Sequence, residues 1–345
     1  MTRACLVALV CSALAGAVAF SADHARWSAL ALHAEPLVLT ALGIGAYFAW
    51  AGRQRAAAVG LILGGIVGFG LVRIPARATE PHRRAPAWAR AIEGCAVALD
   101  APTAPVDLLQ WTLTDGVSSE AVQRAVEVIV PDVLVLFDLD DASVLVDLVQ
   151  ALGGEYQYHP ATASSAGFGV YSRGEFSLCD GTDQWEDGLD GPGGYRFVFV
   201  GLDDATFPLV VARFPGPFAE GDWAGAMAES TDRVDALLAT IRSPLTVVVA
   251  NAPVTGTYRH LFAGLSGLGM HAVPTPPNFP ARLGTIPLLP LHAYDRAWTG
   301  PGWSTLTSRR VGMDSGSRTP VWTRLEPAER GTARALSPAP GENPG

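Results

Sequence analysis

The run VVVANAPVTGTYRHL, residues 247–261, carries an apolar strand-like segment into a polar turn and then a helical stretch. Hydrolases often keep an acid at such a strand end. Here it offers Val249, Ala250 and Asn251, and the amide can orient an oxygen but cannot move a proton. Carboxylates gather elsewhere, as Asp138, Asp140 and Asp141 in FDLDDASVL. They are oxygen ligands of the kind a hard cation takes, although the glycine and terminal glutamate of a calcium loop are missing. Among proton carriers, His260 falls on the helical stretch after Asn251 and reads as a packed helix residue. His292 precedes Asp295 at the entry to a strand and is the candidate for an unorthodox base. Ser172 in VYSRG lacks the glycines of a nucleophile elbow. No lysine occurs, so side-chain amine nucleophiles are excluded. Trp185 with Trp223, and Tyr156 with Tyr158, would line a sugar or peptide groove or else belong to the core.

The elements that position these residues lie between about residues 92 and 327. Short β-rich runs bounded by turn formers are expected as strands: VDLLQWTL, DVLVLFDL, FGVYSR, YRFVFVGL, FPLVVARF, LTVVVANA, AYDRAW and PVWTRL. Helices are expected over SSEAVQRAVEVIV, capped by Ser118 or Ser119, over ASVLVDLVQAL, ended by Gly153-Gly154, and over AESTDRVDALLATI. Helices alternating with strands early, and mostly strands late, imply an α/β domain with mixed sheets.

Ahead of that domain lie three uncharged apolar stretches of about 17 residues each, near the lower limit for crossing a bilayer. They span residues 4–20, 36–52 and 56–72. The first also has the form of a cleaved signal peptide, but the two that follow closely favour a three-helix anchor over residues 1–72. Arg53 and Arg55 place the short turn on the cytoplasmic side and so the domain outside, while the arginines of the linker, residues 73–91, pull the other way. The expected location is therefore a bacterial-type membrane with the domain on its extracytoplasmic side and lipids contacting the anchor. The tail, residues 328–345, reads as disordered. Of the 345 residues, 49% are hydrophobic, and the formal charge is −9 with the acidic excess after residue 90. That sign repels phosphate backbones, so general nucleic-acid binding is not expected. Cys5 and Cys11 lie in the first apolar stretch, Cys95 and Cys179 would be free to pair if the domain is exported, and no cysteine spacing matches a metal motif.

The order of these segments resembles the endonuclease/exonuclease/phosphatase superfamily, in particular its members with several N-terminal membrane spans. The motifs that carry the resemblance are LLQWTL, PDVLVLFDLD, GFGVYSR, LVVARFPGP, VVVANAPVTG, AYDRAW and GSRTPVWTRL, in that order over residues 106–325. It implies two packed mixed β-sheets flanked by helices, a four-layer αββα sandwich, and a site that hydrolyses phosphoesters with Mg²⁺ or Mn²⁺. On this correspondence the metal-binding glutamate falls at Asp138, and a neighbouring asparagine falls at Thr112. The strand-end histidine falls at Phe214 and the water-activating aspartate at Val249, while Asn251 and Asp295 persist. A histidine becomes Arg296, and the closing Asp-His pair becomes Ser317 and Arg318. The proton-handling groups are thus replaced. The resemblance implies a binding or scaffold module with Asn251 and Asp295 as remnants, Asp138 as residual metal ligand, and Arg296 and Arg318 able to hold a phosphate-bearing ligand without cleaving it. The alternative is a metal-dependent phosphoesterase at the membrane surface. A purely structural envelope component is the third reading.

Overall fold

β-Branched and aromatic density makes the central strands. VDLLQWT forms β1 (Val106–Thr112) and VLVLF forms β2 (Val133–Phe137), both buried almost throughout. The computed structural model describes residues 46–47, 50–52, 55, 57–62, 103–113, 117–139, 142–159, 168–177, 195–202, 205–214, 225–226, 230, 234–235, 237–238, 241, 243–251, 256–277, 282–283, 286–287, 293–312 and 318–328. The linker, the tail after Ala328 and most of the three apolar stretches lie outside them. Among the described residues no helix is long and apolar enough to cross a membrane. The chain divides into two compact units. The smaller takes Met1–Thr79, Pro215–Thr231 and Pro253–Ala263. Within it Ala46 and Ala58 are buried, and the Arg55 guanidinium lies 5.4 Å from the centre of the Trp50 ring.

Two six-stranded sheets form the larger unit. One runs β13 (Trp303–Arg310), β14 (Val321–Pro327), β1, β2, β4 (Phe168–Ser172), β3 (Gln157–His159). The other runs β5 (Phe176–Ser177), β6 (Tyr195–Leu202), β7 (Ala205–Arg213), β8 (Val247–Asn251), β12 (Asp295–Thr299), β9 (His271–Ala272). A separate ribbon pairs β10 (Arg282–Leu283) with β11 (Ile286–Pro287). In each sheet one central pair is parallel, β1 with β2 and β7 with β8, and the remaining pairings are antiparallel. The expected α/β class with mixed sheets is observed.

Strand alternation sorts side chains between the two faces of each sheet. Leu108, Val135 and Phe137 of the first sheet share one buried cluster with Leu209, Val211 and Val249 of the second. Trp303 ties that core together: its ring meets Phe207 edge-on at 5.3 Å, and its Nε1–H donates to the Leu245 carbonyl at 2.7 Å. The outward residues of the first sheet, among them Trp111 and Leu136, pack with α1 (Ser119–Ile129) and α2 (Ala142–Leu152). A third helix, α3 (Gly256–Gly267), follows β8 as expected. β13 is a strand that apolar density does not announce, because most of WSTLTSRR is polar and partly or fully exposed. Its register with β14 shifts between Thr305 and Thr307, and Arg309 lies 4.4 Å above the Trp322 ring.

Helix α1 buries Ala121, Val122, Ala125 and Val126 on one stripe. It ends at Val130, whose φ of 50° lies in the left-handed region, with its N–H donating to the Val126 carbonyl at 2.6 Å. A β-branched side chain is costly there, and this one is exposed. Val130→Gly is expected to stabilise the protein by about 1 kcal/mol, read as a higher urea midpoint with unchanged slope.

Candidate functional site

The ends of four strands converge at one edge of the sandwich. Alternation from the inward Leu108 turns Gln110 and Thr112 toward the second sheet, and alternation from Val211, Val249 and Ala297 turns Arg213, Asn251 and Asp295 toward the first. In the second sheet Asn251 pairs in register with Arg213 on one side and with Asp295 on the other. Three polar residues therefore stand in a row across β7, β8 and β12.

Two carboxylates, Asp295 of the row and Asp138 from beyond β2, tie this row to the first sheet. Asp295 is fully buried; its carboxylate accepts the Thr112 backbone N–H at 3.2 Å and also the Thr112 hydroxyl. Asp138, just past β2, reaches across to Arg213 with Oδ1 at 2.9 Å from Nη2, and its Oδ2 lies 3.4 Å from Nη1 of Arg318. The Arg318 guanidinium lies 3.9 Å above the Tyr294 ring, and its carbonyl accepts the Trp111 indole N–H at 3.1 Å. The backbone of Asp138 has φ 56°, a conformation that aspartate tolerates better than most residues. Burial pushes the Tyr294 phenol up to about 12, with Arg318 pulling it down and Asp138 and Asp295 adding to the rise.

Because a raised phenol titrates later in the folded chain than its ordinary 10, the unfolded chain releases its proton first. The contribution of Tyr294 to stability is thus complete below pH 10 and disappears as pH rises through 12. Tyr156, also pushed up to about 12 by burial, acts in the same sense. Denaturant midpoints should fall between those pH values, by about 2–3 kcal/mol for Tyr294 alone, and Tyr294→Phe should flatten the profile.

Asp138, Asp295 and Arg318, expected from the sequence, are brought together. Asn251 stands beside Asp295. Arg296 does not join them: it alternates to the other face of β12 from Asp295. Phe214 and Val249 are buried, and the Phe214 N–H donates to the Asn251 carbonyl at 3.1 Å. Neither can carry a proton. Ser172 is a strand-end serine whose hydroxyl accepts the Gly174 N–H at 3.0 Å. Tyr156 donates to the Pro131 carbonyl, and Tyr158 lies 4.8 Å from the Tyr171 ring, so these two pack in the core and line no groove. His260 is buried, in keeping with a packed helix residue. His292, Asp140, Asp141, Ser317, Trp185, Trp223 and the four cysteines lie outside the described residues.

A divalent cation does not fit this donor set. Both oxygens of Asp138 face guanidinium groups, both of Asp295 accept from Thr112, and two positive charges already flank Asp138. Among the described residues no group of three or more His, Cys, Asp or Glu is placed to hold a metal. Three residues are legible only in three dimensions: Arg213, Tyr294 and Gln110. For Arg213 and Gln110 the available signal was a charge or amide at an inward strand position in an otherwise apolar run, and Tyr294, just before β12, gave none.

No family profile and no curated protein sequence matches the chain. Solved structures do. The chain is similar in structure to endonuclease/exonuclease/phosphatase proteins. One from Bacteroides vulgatus is 12% identical with a TM-score of 0.47, covering 66% of this chain and 100% of its own. One from Beutenbergia cavernae is 13% identical with a TM-score of 0.46, over 69% and 73%. Sphingomyelinase C from Streptomyces griseocarneus is 16% identical with a TM-score of 0.42, over 64% and 99%. These likenesses concern the arrangement of the sheets, and the chemistry of this cleft rests on its own residues.

Proposed function

We propose that the α/β unit is a binding or scaffold module for a phosphate-bearing or other oxyanionic ligand, without phosphoester hydrolysis of its own. The observation that carries this reading is the carboxylate of Asp138 clamped between Arg213 and Arg318, which puts cationic donors where hydrolysis would need a metal and a base. Arginine pairs hold oxyanions by direct hydrogen bonds. Phe214 and Val249, buried beside the cleft, supply no general base. The reading includes a fourth layer of helix over the second sheet and an N-terminal membrane anchor, supported by the three uncharged apolar stretches. The full chain, assayed on phosphodiester and phosphomonoester substrates with Mg²⁺ and with Mn²⁺, is expected to show no turnover. Metal-dependent turnover that disappears in Asp138→Ala would establish the phosphoesterase instead.

A further inference from the structure

We propose that Asp138 is a built-in occupant of an oxyanion site made by Arg213 and Arg318, and that an external carboxylate or phosphate binds by displacing it. The inference rests on the binding-module reading and adds what occupies the arginine pair when no ligand is bound. One guanidinium comes from the end of β7 and the other from just before β14, yet they meet the same carboxylate, one oxygen each, at 2.9 and 3.4 Å. A free oxyanion bridging two arginines would be held in the same way. Tyr294 under Arg318, and the Trp111 indole on the Arg318 carbonyl, keep that guanidinium in place without help from Asp138.

Asp138 is also placed to leave. The β1–β2 ladder ends at Thr112 and Phe137, and the next backbone bond, from Leu113 N–H to the Phe137 carbonyl, closes it. The Asp138 main chain therefore withdraws without breaking a strand pair. Its contact with Arg318 is the longer of the two.

The row beside the arginines has unmet hydrogen-bonding capacity. The side-chain oxygen of Asn251, a residue 1% exposed, has no hydrogen-bond partner, and Asn251 neighbours both Arg213 and Asp295 in register. Two residues before Thr112, fully buried Gln110 leaves both amide atoms unpaired. Buried polar atoms left this way are ordinarily satisfied by water or ligand. A protonated phosphate oxygen, or a water carried in with a carboxylate, supplies the donor that Asn251 lacks.

The test is calorimetric titration of the full chain with inorganic phosphate and, in a separate arm, with acetate, comparing wild type and Asp138→Asn. Asp138→Asn should bind one of the two about tenfold or more tightly than wild type, and Arg318→Gln added to it should abolish the gain. The responding arm identifies phosphate or carboxylate as the ligand group. Equal affinities in wild type and variant overturn the latch and leave the binding reading standing. Binding by neither protein in either arm overturns both. Thermal midpoints give a second readout, because Asp138→Asn removes the charge that bridges the two guanidinium groups. A rise with the anion that exceeds the wild-type rise supports displacement, and an equal rise counts against it.

Discussion

Replacing Asp138 with alanine is expected to destabilise the protein by about 1–3 kcal/mol, because its side chain is 26% exposed and the effect falls between that of a surface pair and that of a buried one. The two arginines contribute unequally. The Arg318 side chain is 8% exposed and cannot recover the water it gave up on folding, whereas Arg213 is 24% exposed and turns outward more easily. A surface ion pair would be worth only about 0–1 kcal/mol, so the bulk of the loss comes from Arg318. The shift in urea midpoint is the measurement. A loss below about 1 kcal/mol would mean that both guanidinium groups reach solvent and that the cleft is open. Adding Arg318→Met to Asp138→Ala removes the stranded charge and should recover most of the stability.

Trp303→Ala is expected to cost more, about 3–5 kcal/mol, for a different reason. The indole fills space between the sheets against Phe207, and its N–H satisfies the Leu245 carbonyl just before β8. Alanine leaves a cavity and an unpaired buried acceptor together. Trp303→Phe restores most of the volume but not the donor, so its cost should fall to about 1–3 kcal/mol. If the two variants are equally destabilised in denaturant titrations, the hydrogen bond carries the effect and cavity formation does not.

The central strands were legible because their burial is almost complete. VLVLF, VVVAN and FGVYS show unbroken apolar or small residues bounded by turn formers, and all three are strands within a residue or two of the expected bounds. β13 was not legible, since only Trp303 of its eight residues is buried and no period of two in hydrophobicity marks it. The site was half legible. Asp138, Asp295 and Arg318 are recognisable from motif order, and they converge. Arg213 ends an apolar strand and looks like a solvated flank, because the partner that defines it lies just beyond β2. The tilt of strand alternation that separates Arg296 from Asp295 was readable in DRAWT, yet a motif correspondence treats neighbouring residues as though they shared a face.

The borders of the two sheets limit how this protein can be approached. Among the described residues β5 and β9 are two residues long and β3 is three, too short to template an incoming strand. Only β13 is long enough, and there the register shift at Thr305–Thr307 and the arginines at its far end, one lying on Trp322, spoil the straight ladder that strand addition requires. In a chain without lysine, arginine takes over the usual gatekeeping task. Among the described residues, the sheet borders therefore offer little straight ladder for strand addition, by a partner or by a second copy of the chain.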